Sequence, residues 1–228
     1  MGVQKIEQLP EEIARALLAI GAVALRPNEP FTWTSGIKSP IYCDNRLTMS
    51  YPEVRERIAE GFAALIREYY PDTELVAGTA TAGIPHAAWV AQKLNLPMVY
   101  VREKAKSHGK QNQIEGVVRP GQRTVVIEDL ISTGGSSLRA AAAIREAGGV
   151  VRAVLAIFTY EFAETAEAFR NEGVELRTLS SYSALIGVAR EEGRISGDEL
   201  ELLASWRENP RAFGRNHPEG AGQNRPEP

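Results

Sequence analysis

The chain has 228 residues, 43% of them hydrophobic and 24% charged, with a formal net charge of -3. That length suits one α/β domain with extensions and a sizeable core, and the charge balance gives no bulk footprint for nucleic acid. Cys43 is the only cysteine, which excludes an intrachain disulfide and favours a reducing compartment.

The opening stretch MGVQKIEQLPEEIARALL lacks a signal-peptide core and reads as an amphipathic helix beginning near Pro10. No apolar run approaches the ~20 residues of a membrane span, so a cytoplasmic protein without membrane contact is expected. Residues 25–50 are rich in turns and aromatics and are expected to form a small hood over a sheet. Helical periodicity follows over 52–70, with a proline near its start. Residues 73–78 read as a strand, 83–94 as a helix and 96–101 as a strand. The next strand spans 124–129, followed by an alanine-rich helix over 136–149 that ends on glycines. A strand over 151–160, a helix over 161–173 and a strand over 174–179 complete the alternation. YSALIGVAREEG and SGDELELLASWREN close the chain as helices.

Strands separated by helices imply βαβ units and a mostly parallel central sheet flanked by helices on both faces. One domain over residues 1–210 is expected, with a polar Gly- and Pro-containing tail over 211–228 expected to be disordered. Ligands of such sheets sit beyond the carboxyl ends of the strands.

One strand delivers chemistry to that end. TVVIEDLISTGGSS, residues 124–137, places Glu128 and Asp129 at the strand end and follows them with a hydroxyl- and glycine-rich loop. Glycines let a backbone approach an anion, and the next helix turns its positive end toward it. Ser132, Thr133 and Ser136 add side-chain donors. Two adjacent carboxylates would repel that anion, so they suit another part of the ligand. An ionised carboxylate only accepts hydrogen bonds, so sugar hydroxyls fit. The residues alone therefore point to a phosphorylated sugar. GTATAGIP, residues 78–85, has P-loop glycines but Ile84-Pro85 where Lys-Ser/Thr is required, and G-x-G-x-x-G is absent.

TVVIEDLISTGGSS resembles the phosphoribosyl-pyrophosphate motif of the type I phosphoribosyltransferases. FTWTSGIKSPIYCDNR (31–46), GTATAGIPHAAWVA (78–91) and VREKAKSHGKQNQIEG (101–116) are similar to the base-binding segment, pyrophosphate loop and mobile catalytic loop of the orotate phosphoribosyltransferase family. The resemblance implies the type I phosphoribosyltransferase fold and transfer of ribose 5-phosphate from phosphoribosyl pyrophosphate to orotate, giving orotidine 5′-monophosphate in pyrimidine synthesis. It implies that Glu128 and Asp129 hold the ribose hydroxyls and that Leu130, Ile131, Ser132, Thr133, Gly134, Gly135 and Ser136 wrap the 5′-phosphate. It also implies that Ser132 approaches orotate, and that Arg102, Lys106 and His108, from a mobile loop over about 102–116, grip the pyrophosphate.

The base segment Thr34–Lys38 is implied to recognise orotate, with Tyr42 against its ring. Some members carry lysines where Thr34 and Ala82 stand here, so backbone N–H groups near Ser35 and Gly36 are the candidates for the orotate carboxylate. Mg2+ is implied, bound mainly through pyrophosphate with no directly assigned protein ligand, as is a homodimer sharing the mobile loop. The residues favour packing roles for Phe31, Cys43 and His86, and leave Trp33 and Tyr42 open between packing and binding. Two other readings stand beside the transferase: a sister enzyme for another base, such as a purine, and a regulator that binds phosphoribosyl pyrophosphate. The base segment argues against the first. The intact Arg102, Lys106 and His108, with no visible nucleic-acid-binding addition, argue against the second.

Overall fold

The computed structural model describes residues 6–32, 38–103 and 113–213. Helix α1 (Leu9–Ala19) has Pro10 in its first turn and buries Leu9, Ile13, Leu17 and Leu18 along one face. The hood follows as two small antiparallel pairs, β1 (Val23–Leu25) with β4 (Ile41–Cys43) and β2 (Phe31–Thr32) with β3 (Lys38–Ser39). A 3₁₀ helix, Asn45–Ser50, leads out of it, with the Asp44 side chain accepting from the Arg46 N–H at 3.1 Å. That acceptor satisfies a donor the short helix cannot.

The central region runs α2 (Pro52–Tyr69), β5 (Leu75–Thr79), α3 (Gly83–Leu94), β6 (Met98–Val101), β7 (Ile114–Glu115), β8 (Arg123–Ile131), α4 (Gly135–Glu146), β9 (Val150–Thr159), α5 (Ala163–Asn171) and β10 (Leu176–Ser181). Three helices close it: α6 (Tyr182–Glu191), α7 (Gly197–Glu208) and α8 (Pro210–Phe213). The central sheet has six strands in the order β10-β9-β8-β5-β6-β7, parallel except for β7 against β6. Its period-2 side chains feed two cores. Val125, Ile127, Ala153, Leu155 and Ile157 face one, with α1, α2, α3 and α6, while Val126, Val154 and Ala156 face the other, with α4 and α5.

Most boundaries shift by one or two residues from the sequence reading, and four of the differences have a physical reason in the fold. Strand β8 continues to Ile131, because β9 stays beside it through Ile131 and Thr159. Helix α5 starts at Ala163, since Glu161 has a positive φ of 58°. The α4 helix stops at Glu146, and Gly148 turns the chain with φ +89°. The far end of the 102–116 segment is strand β7, with Glu115 opposite Tyr100. Beyond residue 210, Phe213 is buried rather than part of a tail. Trp206 is fully buried among Tyr160, Phe162 and Tyr182, and its indole N–H donates to the Lys38 carbonyl at 3.3 Å, which ties α7 to the hood.

Candidate active site

Strand β8 pairs with β5 only as far as Ile127 but runs on beside β9. Glu128 and Asp129 therefore lie beyond the last residue pair with β5, at the carboxyl edge of the sheet, where ligands of parallel sheets bind. The carbonyl of Asp129 has no β5 partner at that point. The side-chain amide of Asn45 reaches over from the hood and donates to it at 2.7 Å. Glu128 is only 5% exposed. One of its oxygens accepts from the Asp129 N–H at 3.1 Å and the other from the Ser136 hydroxyl at 3.0 Å.

Burial, and then the neighbouring Asp129 carboxylate, push the Glu128 pKa up to about 8. Burial also raises that of Asp129. Two carboxylates that close in a poorly hydrated site favour holding one proton between them. The pair is thus short of positive charge, and a ligand that brings hydroxyl donors or cationic character relieves that shortage.

The loop after β8 is shaped from behind by α5. Gly134 has φ +78°, and a Cβ there would meet the Phe169 ring at 2.4 Å, so both conformation and space require glycine. The hydroxyl of Thr165, itself 2% exposed, donates to the Ser132 carbonyl at 2.5 Å. Gly135 and Ser136 form the first turn of α4, whose leading N–H groups have no partner inside the helix. The Ser132–Gly134 turn and this helix end make one concave, donor-rich surface. Leu130 and Ile131 belong to β8 rather than to the loop, and Ile131 is fully buried.

On the other side of the acid strand, the chain turns after β5 through Ala80 and Thr81, joined by a cis peptide, into α3. Gly83 lies so close to β8 that a Cβ would sit 2.5 Å from the Ile127 carbonyl oxygen. An open concavity of about 440 Å³ lies here, lined by Ala80, Thr81, Ile84, Tyr100, Arg102 and Glu103. The Arg102 N–H donates to the Gln113 carbonyl at 2.8 Å, and its guanidinium approaches Glu115 at 3.7 Å. Lys106 and His108 lie outside the described residues, as do Trp33, Thr34, Ser35 and Gly36.

In the hood, Tyr42 is half-buried and tilted against Phe31 at 5.6 Å between ring centres. Cys43 is buried, and burial pushes its thiol up, away from the reactive thiolate. His86 is also buried, with its ring edge-on to Trp89, and burial lowers its pKa to about 4, so it stays neutral and packed. Asn45, Thr165 and Phe169 were not singled out in the sequence. Only Asn45 left a signal there, as an Asp-Asn pair directly after a strand.

The family model for the phosphoribosyl transferase domain matches residues 51–179, from the start of α2 into β10. The sheet up to the middle of β10, the acid pair and the glycine loop fall inside that match, and they define a phosphoribosyltransferase. The orotate phosphoribosyltransferase of Staphylococcus saprophyticus is 59% identical over 201 residues, covering 88% of this chain and 99% of that protein. Among solved structures, orotate phosphoribosyltransferase from Aeropyrum pernix superposes with a TM-score of 0.67 at 28% identity, covering 81% of this chain and 99% of that one. Leishmania donovani UMP synthase superposes with a TM-score of 0.72 at 28% identity, covering 86% of this chain, which spans 42% of that longer one. The chain belongs to the orotate phosphoribosyltransferase family.

Proposed function

We infer that the chain transfers ribose 5-phosphate from phosphoribosyl pyrophosphate to orotate, forming orotidine 5′-monophosphate and pyrophosphate for pyrimidine synthesis. The observation that carries this reading is the pairing of a buried and a half-buried carboxylate, Glu128 and Asp129, beyond the β5 pairing with a glycine loop that opens α4.

Glu128 and Asp129 accept hydrogen bonds from the 2′- and 3′-hydroxyls of the ribose. The N–H groups of the Ser132–Ser136 turn and helix end, with the Ser132 and Thr133 hydroxyls, hold the 5′-phosphate. The bond from C1′ to the pyrophosphate oxygen breaks with its electron pair leaving on the pyrophosphate, a ring nitrogen of orotate bonds to C1′ as its N–H bond breaks, and the proton released ends on the departing pyrophosphate or in solvent. Positive charge grows on the sugar next to the acid pair, which is fixed before the reaction and needs little reorganisation. Negative charge grows on the leaving group, where Arg102, Lys106 and His108 supply cations and a proton donor. The concavity beside Arg102 has room for that group.

Ser35, Gly36, Tyr42 and Ser132 bind orotate. Among the described residues no group of three or more His, Cys, Asp or Glu side chains converges on a metal position. Mg2+ would be held mainly through the substrate phosphates, with few protein ligands. When bound, Mg2+ neutralises the charge of the diphosphate. Residues 1–210 form the catalytic unit, which works as a homodimer sharing the 102–116 loop. Leu47 and Met49 on the 3₁₀ helix, and Tyr51 directly after it, are exposed large hydrophobic side chains, which suits contact with a second copy. No described helix is long and apolar enough to cross a membrane, and a cytoplasmic location fits the single buried thiol.

Orotate absorbance in the presence of protein, phosphoribosyl pyrophosphate and Mg2+, with each left out in turn, tests the reaction. Loss of orotate only in the complete mixture is expected. Consumption of phosphoribosyl pyrophosphate with a purine but not with orotate would move the chain to another base.

A further inference from the structure

The Ser136 hydroxyl sits at the start of α4, where a phosphate ligand is the first assignment for it. The geometry points to a different role: Ser136 is a positioning residue that fixes the Glu128 carboxylate and ties the ribose end of the site to the helix facing the phosphate. This rests on the transferase reading above.

Three observations support it. First, the hydroxyl carries one proton, and it is given to Glu128 across 3.0 Å. While that bond stands, the same proton cannot go to a phosphate oxygen. Second, the two Glu128 oxygens are held from two separate elements, one by the Asp129 N–H of β8 and one by Ser136 of α4. Removing Ser136 takes away the only hold on Glu128 that comes from α4 among these contacts, leaving it fastened from β8 alone, by the Asp129 N–H and the Asp129 carboxyl. Third, Ser136 reaches from a fixed platform. Thr165 bonds the Ser132 carbonyl and Phe169 fills the space over Gly134, so α5 sets where α4 begins.

The phosphate surface loses little by this assignment. The Ser132 and Thr133 side chains and the leading N–H groups of α4 remain. Each acid then has its own anchor: Asn45 fixes the main chain at Asp129, and Ser136 fixes the side chain of Glu128. Small displacements of groups that orient a substrate are expensive in rate, so an exposed serine at the edge of the loop contributes through its neighbour.

The test compares the unmodified protein with Ser136→Ala and Ser136→Thr, using inorganic phosphate as the probe of the loop. Ser136→Ala is expected to lower kcat/KM for phosphoribosyl pyrophosphate roughly tenfold, with the Kd of inorganic phosphate changed less than about twofold, and Ser136→Thr is expected to restore most of the rate. In a Glu128→Gln background, Ser136→Ala is expected to add much less than it does alone, whether read in rate or in affinity for phosphoribosyl pyrophosphate. Weakened phosphate binding at unchanged kcat would make Ser136 a phosphate ligand and overturn the proposal. So would full additivity with Glu128→Gln. Failure of the transferase reading shows separately, as no orotate turnover by the unmodified protein, and the affinity cycle still decides the role of Ser136.

Discussion

The side-chain amide of Asn45 donates to the main-chain carbonyl of Asp129 across 2.7 Å, joining the hood to the acid strand at the point where β5 has ended. A sheet strand that outruns its neighbour leaves carbonyls without donors, and a buried carbonyl left so is costly. Asn45 is 1% exposed, and its side-chain oxygen accepts from the Cys43 thiol at 3.3 Å. Replacing Asn45 by Ala is expected to destabilise the protein by about 1–3 kcal/mol and to lower kcat, measured by urea unfolding and steady-state rates. Unchanged stability would show that water replaces the amide without loss.

The raised pKa of Glu128 sets a pH dependence. A carboxyl whose folded pKa is about 8, against 4.5 as its ordinary value, binds more protons folded than unfolded between those two pH values. Stability of the ligand-free protein therefore falls as pH rises through that window. Glu128→Gln keeps the neutral shape and removes the titration. The variant is expected to match the unmodified protein near pH 5 and to exceed it by roughly 1–3 kcal/mol near pH 9. Urea midpoints at the two pH values check this, and an equal difference at both would contradict it.

Gly83 opens α3 against the main chain of β8. An added Cβ would meet the Ile127 carbonyl oxygen at 2.5 Å, and neither side of that contact is a movable side chain. Gly83→Ala is expected to cost about 1–3 kcal/mol or more and to shift the pyrophosphate side of the site relative to the acid pair. A thermal unfolding scan reads the first effect, and the KM for phosphoribosyl pyrophosphate reads the second.

Thr165 tests whether α5 shapes the phosphate loop. Thr165→Val removes the hydroxyl that holds the Ser132 carbonyl and keeps the side-chain shape. It leaves that carbonyl without the donor, at about 1 kcal/mol. Inorganic phosphate affinity is expected to fall by roughly threefold to tenfold, with the orotate KM less affected. Titration calorimetry with phosphate measures it, and unchanged phosphate affinity would mean the loop holds its form alone.

Much of the frame is legible in the residues. Alternation along 124–129 and 151–160 gives two-faced buried strands, and the two cores divide Val125 and Ile127 from Val126 as that period requires. The acid pair and glycine loop are contiguous in sequence, so their chemistry is readable without a fold. The devices that hold them are not. Asn45 and Asp129 stand 84 residues apart, and Thr165 and Ser132 stand 33 apart. Each is one side chain bonding one main-chain carbonyl, which leaves no periodicity to read. The two-residue strand β7 is too short for any pattern, and β8 outruns its expected end because β9 continues to pair with it. Ser136 shows the same limit inside the motif, since its sequence position suggests phosphate while its hydroxyl meets Glu128.

The most direct measurement is the rate of orotate consumption by the unmodified protein and by Asp129→Asn, with saturating phosphoribosyl pyrophosphate and Mg2+. The change keeps the side-chain size and one acceptor oxygen but removes the charge placed next to the developing sugar cation. A fall of roughly a hundredfold or more in kcat, with the protein still folded, is the predicted result. Equal rates in the two proteins would contradict the assignment of the acid pair to the ribose.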